Sequence, residues 1–247
     1  MSASIERRCL DAVVVGAGIV GSALALGLKR RGLDVAVVES TTPQGWRAEA
    51  PDLRVYAIAP DSEALLAALG VWPAVRAARA QPYAAMHVWD AGGGAPLRFD
   101  AAALGVPRLG HIVVQGRLVD RLRAALAAAA VPILEAAVEG IDRGGDDVTL
   151  RLFGGRRIRA AWGFGADGAA SAVRGLAGIE VEARDYEAKG LVAYLRTKRP
   201  HDATCWQRFL PTGPLALLPC AEGRVSIVWS LPQDEADRLA AVHEAQF

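Results

Sequence analysis

Apolar residues follow two rhythms along this chain. Residues 12–15 form an unbroken, β-branched apolar run, and Asp34 to Val38 is again strand-like, with Val35, Ala36, Val37 and Val38 apolar. Short runs of this kind, bounded by polar residues and glycines, predict buried strands. Between them, residues 19–31 carry Leu24, Leu26 and Leu28, then Lys29, Arg30 and Arg31, with Gly32 following. A basic last turn followed by glycine predicts a helix and its stop. A second helix is expected from Pro60, Asp61 and Ser62 to Gly70, with Leu65, Leu66 and Leu69 sharing a face. Alternation takes over at 83–100, where Met86 and Val88, a Gly92-Gly93-Gly94 turn, then Leu97 and Phe99 predict a hairpin. Residues 110–114 read as a strand, and 115–129 as a helix with Leu118, Leu122, Ala125 and Leu126 at helical spacing.

Three strands are then expected near 131–139, 147–153 and 156–162, turned by Gly144-Gly145-Asp146 and Gly154-Gly155. A further strand at 162–166 ends at Asp167-Gly168. From Tyr186 onward the pattern is mostly strand, at 189–197, 204–210, 215–219 and 224–230, before an amphipathic helix at 232–245. The fold class is α/β. A Rossmann-like domain holds a parallel sheet with an antiparallel meander attached, and a second, β-rich domain accompanies it. The first domain is expected to comprise 1–82 and 109–183, and the second 83–108 and 184–247.

The strand at 12–15 runs straight into Gly16-Ala17-Gly18-Ile19-Val20-Gly21, and Glu39 ends the next strand, 18 residues after Gly21. Each residue type has a physical role in holding the ADP half of FAD or NAD. Gly16 permits the tight turn, Gly18 leaves room for the pyrophosphate, and Gly21 lets the helix lie close to the sheet. The free N–H groups of the first helical turn, at Ile19 and Val20, face the phosphates with the positive end of the helix dipole. Glu39, followed by Ser40, is placed to accept the ribose hydroxyls, and its charge would repel a 2′-phosphate.

Composition narrows the class. The chain has 247 residues, 52% of them hydrophobic and 22% charged, enough for one large or two small domains with a sizeable core. A net charge of +1 with dispersed basic residues gives no nucleic-acid surface. Cys9, Cys205 and Cys220 show neither metal spacing nor a paired framework, and His87, His111, His201 and His243 are scattered. No metal is expected, and the setting reads as reducing and cytoplasmic. Arg7-Arg8 imitates an export signal, but the apolar run after it is broken by three glycines and is needed as strand and helix. No apolar stretch reaches the length of a membrane span.

Four stretches together carry a family resemblance: Gly16 to Gly21 with Glu39, Arg54 with the Ser62-x-x-Leu65 helix, Gln115-x-x-Leu118-x-x-x-Leu122, and the run from Gly165-Ala166-Asp167-Gly168 to Val173-Arg174. The chain resembles the class A FAD-dependent aromatic monooxygenases, with a fold like that of para-hydroxybenzoate hydroxylase. Val88-Trp89-Asp90, Leu109-Gly110-His111-Ile112-Val113 and Trp206-Gln207-Arg208-Phe209-Leu210-Pro211 resemble the ubiquinone-biosynthesis hydroxylases among them. The resemblance implies FAD as cofactor and makes the two domains an FAD-binding and a substrate domain. It adds Arg54, Gln115, Asp167 and Gly168 to the cofactor-binding residues, and it implies that Trp206 and Phe209 line the substrate domain. The implied reaction is hydroxylation of a prenylated phenol by O2, with NAD(P)H as reductant, through a flavin C4a-hydroperoxide. It also implies a lipophilic substrate, peripheral contact with the inner membrane face, and other ubiquinone-biosynthesis proteins as partners.

Two departures stand out. Many relatives have Arg where this chain has Ala170, and they continue into a second FAD motif, Gly-Asp-x-x-His, that nothing here matches. A C-terminally truncated chain is therefore expected, and no acid or base is assigned a catalytic role. Two other readings stay open: an NAD-dependent Rossmann dehydrogenase, and a non-catalytic dinucleotide-binding fragment.

Overall fold

The computed structural model describes residues 9–41, 45–46 and 52–242. Arg7-Arg8, most of the loop after Ser40, and the end of the closing helix with His243 lie outside the described residues. In chain order the elements are β1 (Cys9–Val15), α1 (Ile19–Arg30), β2 (Val35–Glu39), β3 (Val55–Ile58), α2 (Pro60–Ala68), α3 (Trp72–Ala77), β4 (Gln81–Tyr83), β5 (Ala85–Asp90), β6 (Leu97–Asp100), β7 (Gly110–Val114) and α4 (Gln115–Ala128). There follow β8 (Ile133–Glu135), β9 (Val138–Arg143), β10 (Val148–Leu152), β11 (Arg157–Gly165), α5 (Ala172–Leu176), β12 (Ala188–Arg196), β13 (Thr204–Leu210), β14 (Gly213–Pro219), β15 (Arg224–Pro232) and α6 (Gln233–Ala240).

The chain divides into two compact units. The first takes residues 1–47, 66–72 and 118–182. Its sheet runs β8-β2-β1-β11-β10-β9. β8, β2, β1 and β11 are parallel, and β11, β10 and β9 form an antiparallel meander in the same sheet. Val13, Val15, Ala36 and Val38 join Leu134, Leu150, Leu152 and Ile158 in one buried core. Unbroken apolar runs at β1 and β2 fit strands covered on both faces.

Three sequence expectations change here. The strand near 131–139 is two strands, β8 beside β2 and β9 beside β10, because Ala136-Ala137 carries the chain from one side of the sheet to the other. The expected strands at 156–162 and 162–166 are one, since β1 pairs with β11 from Arg159 to Gly165 without interruption. The shared face of α2 is also different. Leu65 is 57% exposed, and the buried positions are Glu63, Leu66 and, just past the helix end, Leu69. A leucine at 65 can face solvent at modest cost, whereas Glu63 has two partners that hold it inside.

The second unit takes residues 48–65, 73–117 and 183–247, so the compact units are cut differently from the expected domain segments. The reason is a small antiparallel sheet, β3-β7-β4. Its Tyr83 and Ile112 form a core with Cys205 and Cys220, which draws the flanks of the hairpin into this unit. The larger sheet runs β12-β15-β14-β13-β5-β6 and contains the expected hairpin as β5-β6. All its pairings are antiparallel except β13 with β5.

Candidate cofactor-binding site

In the first unit, β1, β2 and β11 end together. Their carboxyl ends and the β8–β9 connection enclose a cleft of about 310 Å3. Gly16, Gly18, Glu39, Ser40, Asp167 and Gly168 line it with Val15, Ala136, Val138 and Ala166. Six of the sequence-assigned residues therefore meet at one place, at the carboxyl edge of a parallel sheet where doubly wound folds bind ligands.

The turn is built by close backbone approach. Gly16 has φ +105°, which favours glycine, and a Cβ there would overlap the Ala166 carbonyl. A Cβ on Gly21 would overlap the Gly16 carbonyl. Gly18 is the opposite case. At φ −72° and ψ −170° it begins α1, and a Cβ there would meet no protein atom within 4 Å. The space beside Gly18 is open. No side chain caps α1 and its first turn carries no acid, which leaves the leading N–H groups at Ile19 and Val20 without a side-chain acceptor from a cap. These features fit a pyrophosphate.

Glu39 ends β2 and turns back on the glycine turn: its Oε2 accepts the Ala17 N–H at 2.7 Å, and its Oε1 accepts the Thr41 N–H at 3.1 Å. Ser22 adds a clamp that the sequence reading missed. Fully buried, its hydroxyl donates to the Ala17 carbonyl at 3.1 Å. A serine one residue past Gly21 was the signal available. Asp167 is engaged as a cap. Its Oδ1 accepts the Ser171 hydroxyl at 2.5 Å and its Oδ2 the Val173 N–H at 3.1 Å. Burial by itself would raise the Asp167 carboxyl, but these bonds outweigh it and hold the group below the usual carboxylate range. Gly168, at φ +89° with open space at its Cβ position, is the bare part of that segment.

Arg54 and Gln115 belong to the second unit, where the Gln115 N–H donates to the Arg54 carbonyl at 2.9 Å. Gln115 also accepts the Tyr56 hydroxyl at 2.9 Å, and the Gly116 N–H reaches Asp52 at 3.1 Å. Trp206 and Phe209 lie on β13, three residues apart and both partly exposed. A larger cleft of about 590 Å3 beside Trp162, Phe164 and Asp147 is lined by the Gly144-Gly145-Asp146 hairpin turn and lacks the start of a long helix.

A parallel sheet, a glycine turn open at Gly18 and an acid at the end of the second strand define a dinucleotide-binding fold. The family model described as FAD binding domain matches residues 9–246, and the chain belongs to that family. FAD is its cofactor, which sets aside the nicotinamide dehydrogenase reading. The chain is 40% identical to the 3-demethoxyubiquinol 3-hydroxylase of Escherichia coli (strain K12), a match covering 89% of this chain and 56% of that protein. It is 32% identical to the mitochondrial ubiquinone biosynthesis monooxygenase COQ6 of Xenopus tropicalis, covering 96% of this chain and 54% of the other. The fold is similar to that of PqsL from P. aeruginosa in complex with 2-aminobenzoylacetate, at a TM-score of 0.77 and 26% identity over 95% of this chain and 64% of that one. The chain spans about half the length of the curated relatives it matches. Among the described residues, no helix is long and apolar enough to cross a membrane.

Proposed function

We propose that this protein is an FAD-dependent monooxygenase that hydroxylates the aromatic ring of a prenylated phenol in ubiquinone biosynthesis. NAD(P)H is the reductant and O2 the co-substrate. The observation that carries the reading is the cleft in which Gly16, Gly18 and Glu39 meet, in a chain 40% identical to a ubiquinol hydroxylase. In this reading the Gly16–Gly21 turn and the amides of Ile19 and Val20 hold the pyrophosphate, while Glu39 and Ser40 hold the ribose. Asp167 stiffens the segment that presents Gly168. Arg54 and Gln115 are assigned to the cofactor by the sequence resemblance. The flavin, when bound, supplies the oxygen-activating chemistry. The chain's own work is to bind and orient it and to position an aromatic ring. A lipophilic substrate brings such a protein to the inner face of a membrane from the cytoplasm, next to other ubiquinone-biosynthesis proteins.

The test is FAD titration of the purified chain, followed by NADH- or NADPH-dependent hydroxylation of a prenylphenol under air. FAD binding with product formation supports the whole reading. FAD binding without product favours the non-catalytic dinucleotide-binding fragment. Binding of NAD with no binding of FAD would overturn both.

A further inference from the structure

Ser22 stands in the first turn of α1, one residue past the glycine turn, and is fully buried. A hydroxyl in that position must find an acceptor inside the protein. It finds the Ala17 carbonyl, 3.1 Å away and outside the helix. The backbone of Ser22 is occupied elsewhere, since its N–H donates to the Gly18 carbonyl at 3.0 Å. The hydroxyl is therefore the donor that the Ala17 carbonyl has among the described residues. Ala17 is itself fully buried, and its N–H donates to Glu39 Oε2 at 2.7 Å. Both backbone polar groups of this one residue are held by side chains, one from α1 and one from the end of β2.

The carbonyl and the N–H of a trans peptide point in opposite directions. Ser22 draws the Ala17 carbonyl inward, so the Gly18 N–H of the same peptide is turned the other way. Gly18 lines the cleft, and its N–H has no acceptor among the described residues. No protein atom lies within 4 Å of the place a Cβ would take there. An alanine at 22 would leave the Ala17 carbonyl buried without a donor, which costs more than the bond itself is worth. The easiest repair is to rotate the 17–18 peptide, because Gly18 is the most permissive residue of the turn. That rotation brings an acceptor oxygen to the side where an outward N–H would meet an anion.

We propose that Ser22 is a positioning residue for the pyrophosphate: by holding the Ala17 carbonyl inside, it aims the Gly18 N–H at a phosphate oxygen. The assignment rests on the FAD reading above. Ser22 acts through the Ala17–Gly18 peptide and touches no ligand atom. Glu39 braces the same residue but is also assigned to the ribose, so the two side chains should separate along the ligand, Ser22 acting on the phosphates alone.

The test titrates FAD, ADP and adenosine into the full chain as wild type, Ser22→Ala, Ser22→Thr and Ser22→Val, with a thermal melt of each. ADP carries the pyrophosphate; adenosine has the base and ribose without it. Ser22→Ala is expected to weaken FAD and ADP about tenfold and adenosine by less than about twofold. Equal losses of ADP and adenosine would reduce Ser22 to a structural residue and overturn the proposal, and so would an unchanged ADP affinity. If Ser22→Ala does not fold, Ser22→Thr and Ser22→Val carry the comparison, because they differ by a hydroxyl against a methyl. Ser22→Thr should then bind ADP about tenfold more tightly than Ser22→Val, and equal affinities would overturn the proposal. A second measurement needs no substitution at 22. In wild-type chain grown on isotope-labelled glycine, the Gly18 amide resonance, assigned by its loss in Gly18→Ala, should move with ADP and stay still with adenosine. A Gly18 amide that ignores bound ADP overturns the proposal and leaves the FAD reading standing. A folded wild-type chain that binds none of the three ligands overturns both.

Discussion

The Glu39 carboxylate accepts the Ala17 N–H at 2.7 Å, joining the end of one parallel strand to the glycine turn of the next. The acid read from sequence as a ribose acceptor braces the glycine turn in this structure. Among the described residues its second oxygen is held by the exposed Thr41 N–H.

Removing that carboxylate should loosen the turn and take away a charge-assisted acceptor together. Glu39→Ala is expected to weaken FAD by about 1–3 kcal/mol. A fluorescence titration checks it, and an unchanged Kd would exclude Glu39 from the cofactor site.

Gly18 and Gly21 should separate binding from folding. A side chain at 18 meets no protein atom, so Gly18→Val should fold with its Tm within a few degrees of the wild type and lose FAD binding. A side chain at 21 overlaps the Gly16 carbonyl, so Gly21→Val should lose stability as well. Thermal melts without and with FAD distinguish the two. A Gly18→Val chain that binds FAD normally would sink the phosphate assignment.

Glu63 is 5% exposed, accepts Arg108 at 2.8 Å, and lies 2.5 Å from His111 Nδ1. Burial by itself would raise its carboxyl, but these partners outweigh burial and hold it below its ordinary 4.5. A value lowered in the folded state contributes stability that is present above the unfolded value and is lost as pH falls through the folded one. Urea midpoints should therefore drop as pH is lowered below about 4.5, and less so in Glu63→Gln. Glu63→Ala removes the carboxylate that accepts Arg108 and contacts His111 inside the unit, and should cost roughly 3 kcal/mol at neutral pH.

The three thiols should react unequally. Burial, with the nearby Cys220, pushes Cys205 up to about 12, and burial pushes Cys220 up to about 11. Cys9 is exposed. Iodoacetamide at pH 8 is expected to label Cys9 alone in the folded chain and all three cysteines in urea, read by peptide mass spectrometry. Rapid labelling of Cys205 without denaturant would show that the core between the two sheets of its unit opens readily.

How far a feature was legible depended on how local its cause is. The glycine turn, the apolar runs of β1 and β2, the basic end of α1 and the hairpin at 85–100 follow from steric and patterning rules that act within a few residues, and each could be read directly. The pairing of Gly18 with an acid at Glu39 was legible for the same reason, since a βαβ unit has a fixed spacing. What the amino-acid sequence could not decide was every choice that depends on a distant partner. Glu63 rather than Leu65 faces inward because Arg108 and His111, more than forty residues away, bind its carboxylate. Asp167 is spent on Ser171 and Val173, and Ala17 is clamped from both sides by Glu39 and Ser22. The meander joins the parallel sheet through one long strand because β11 pairs with β1 along most of its length and with β10 along its first part. The parity of Trp206 and Phe209 was present in the sequence, but which face is packed and which is open was decided only when β3, β4 and β7 covered one end of the sheet. Local rules set the elements and the glycine turn; burial and pairing between residues far apart in the chain set which faces are closed and which charges are spent.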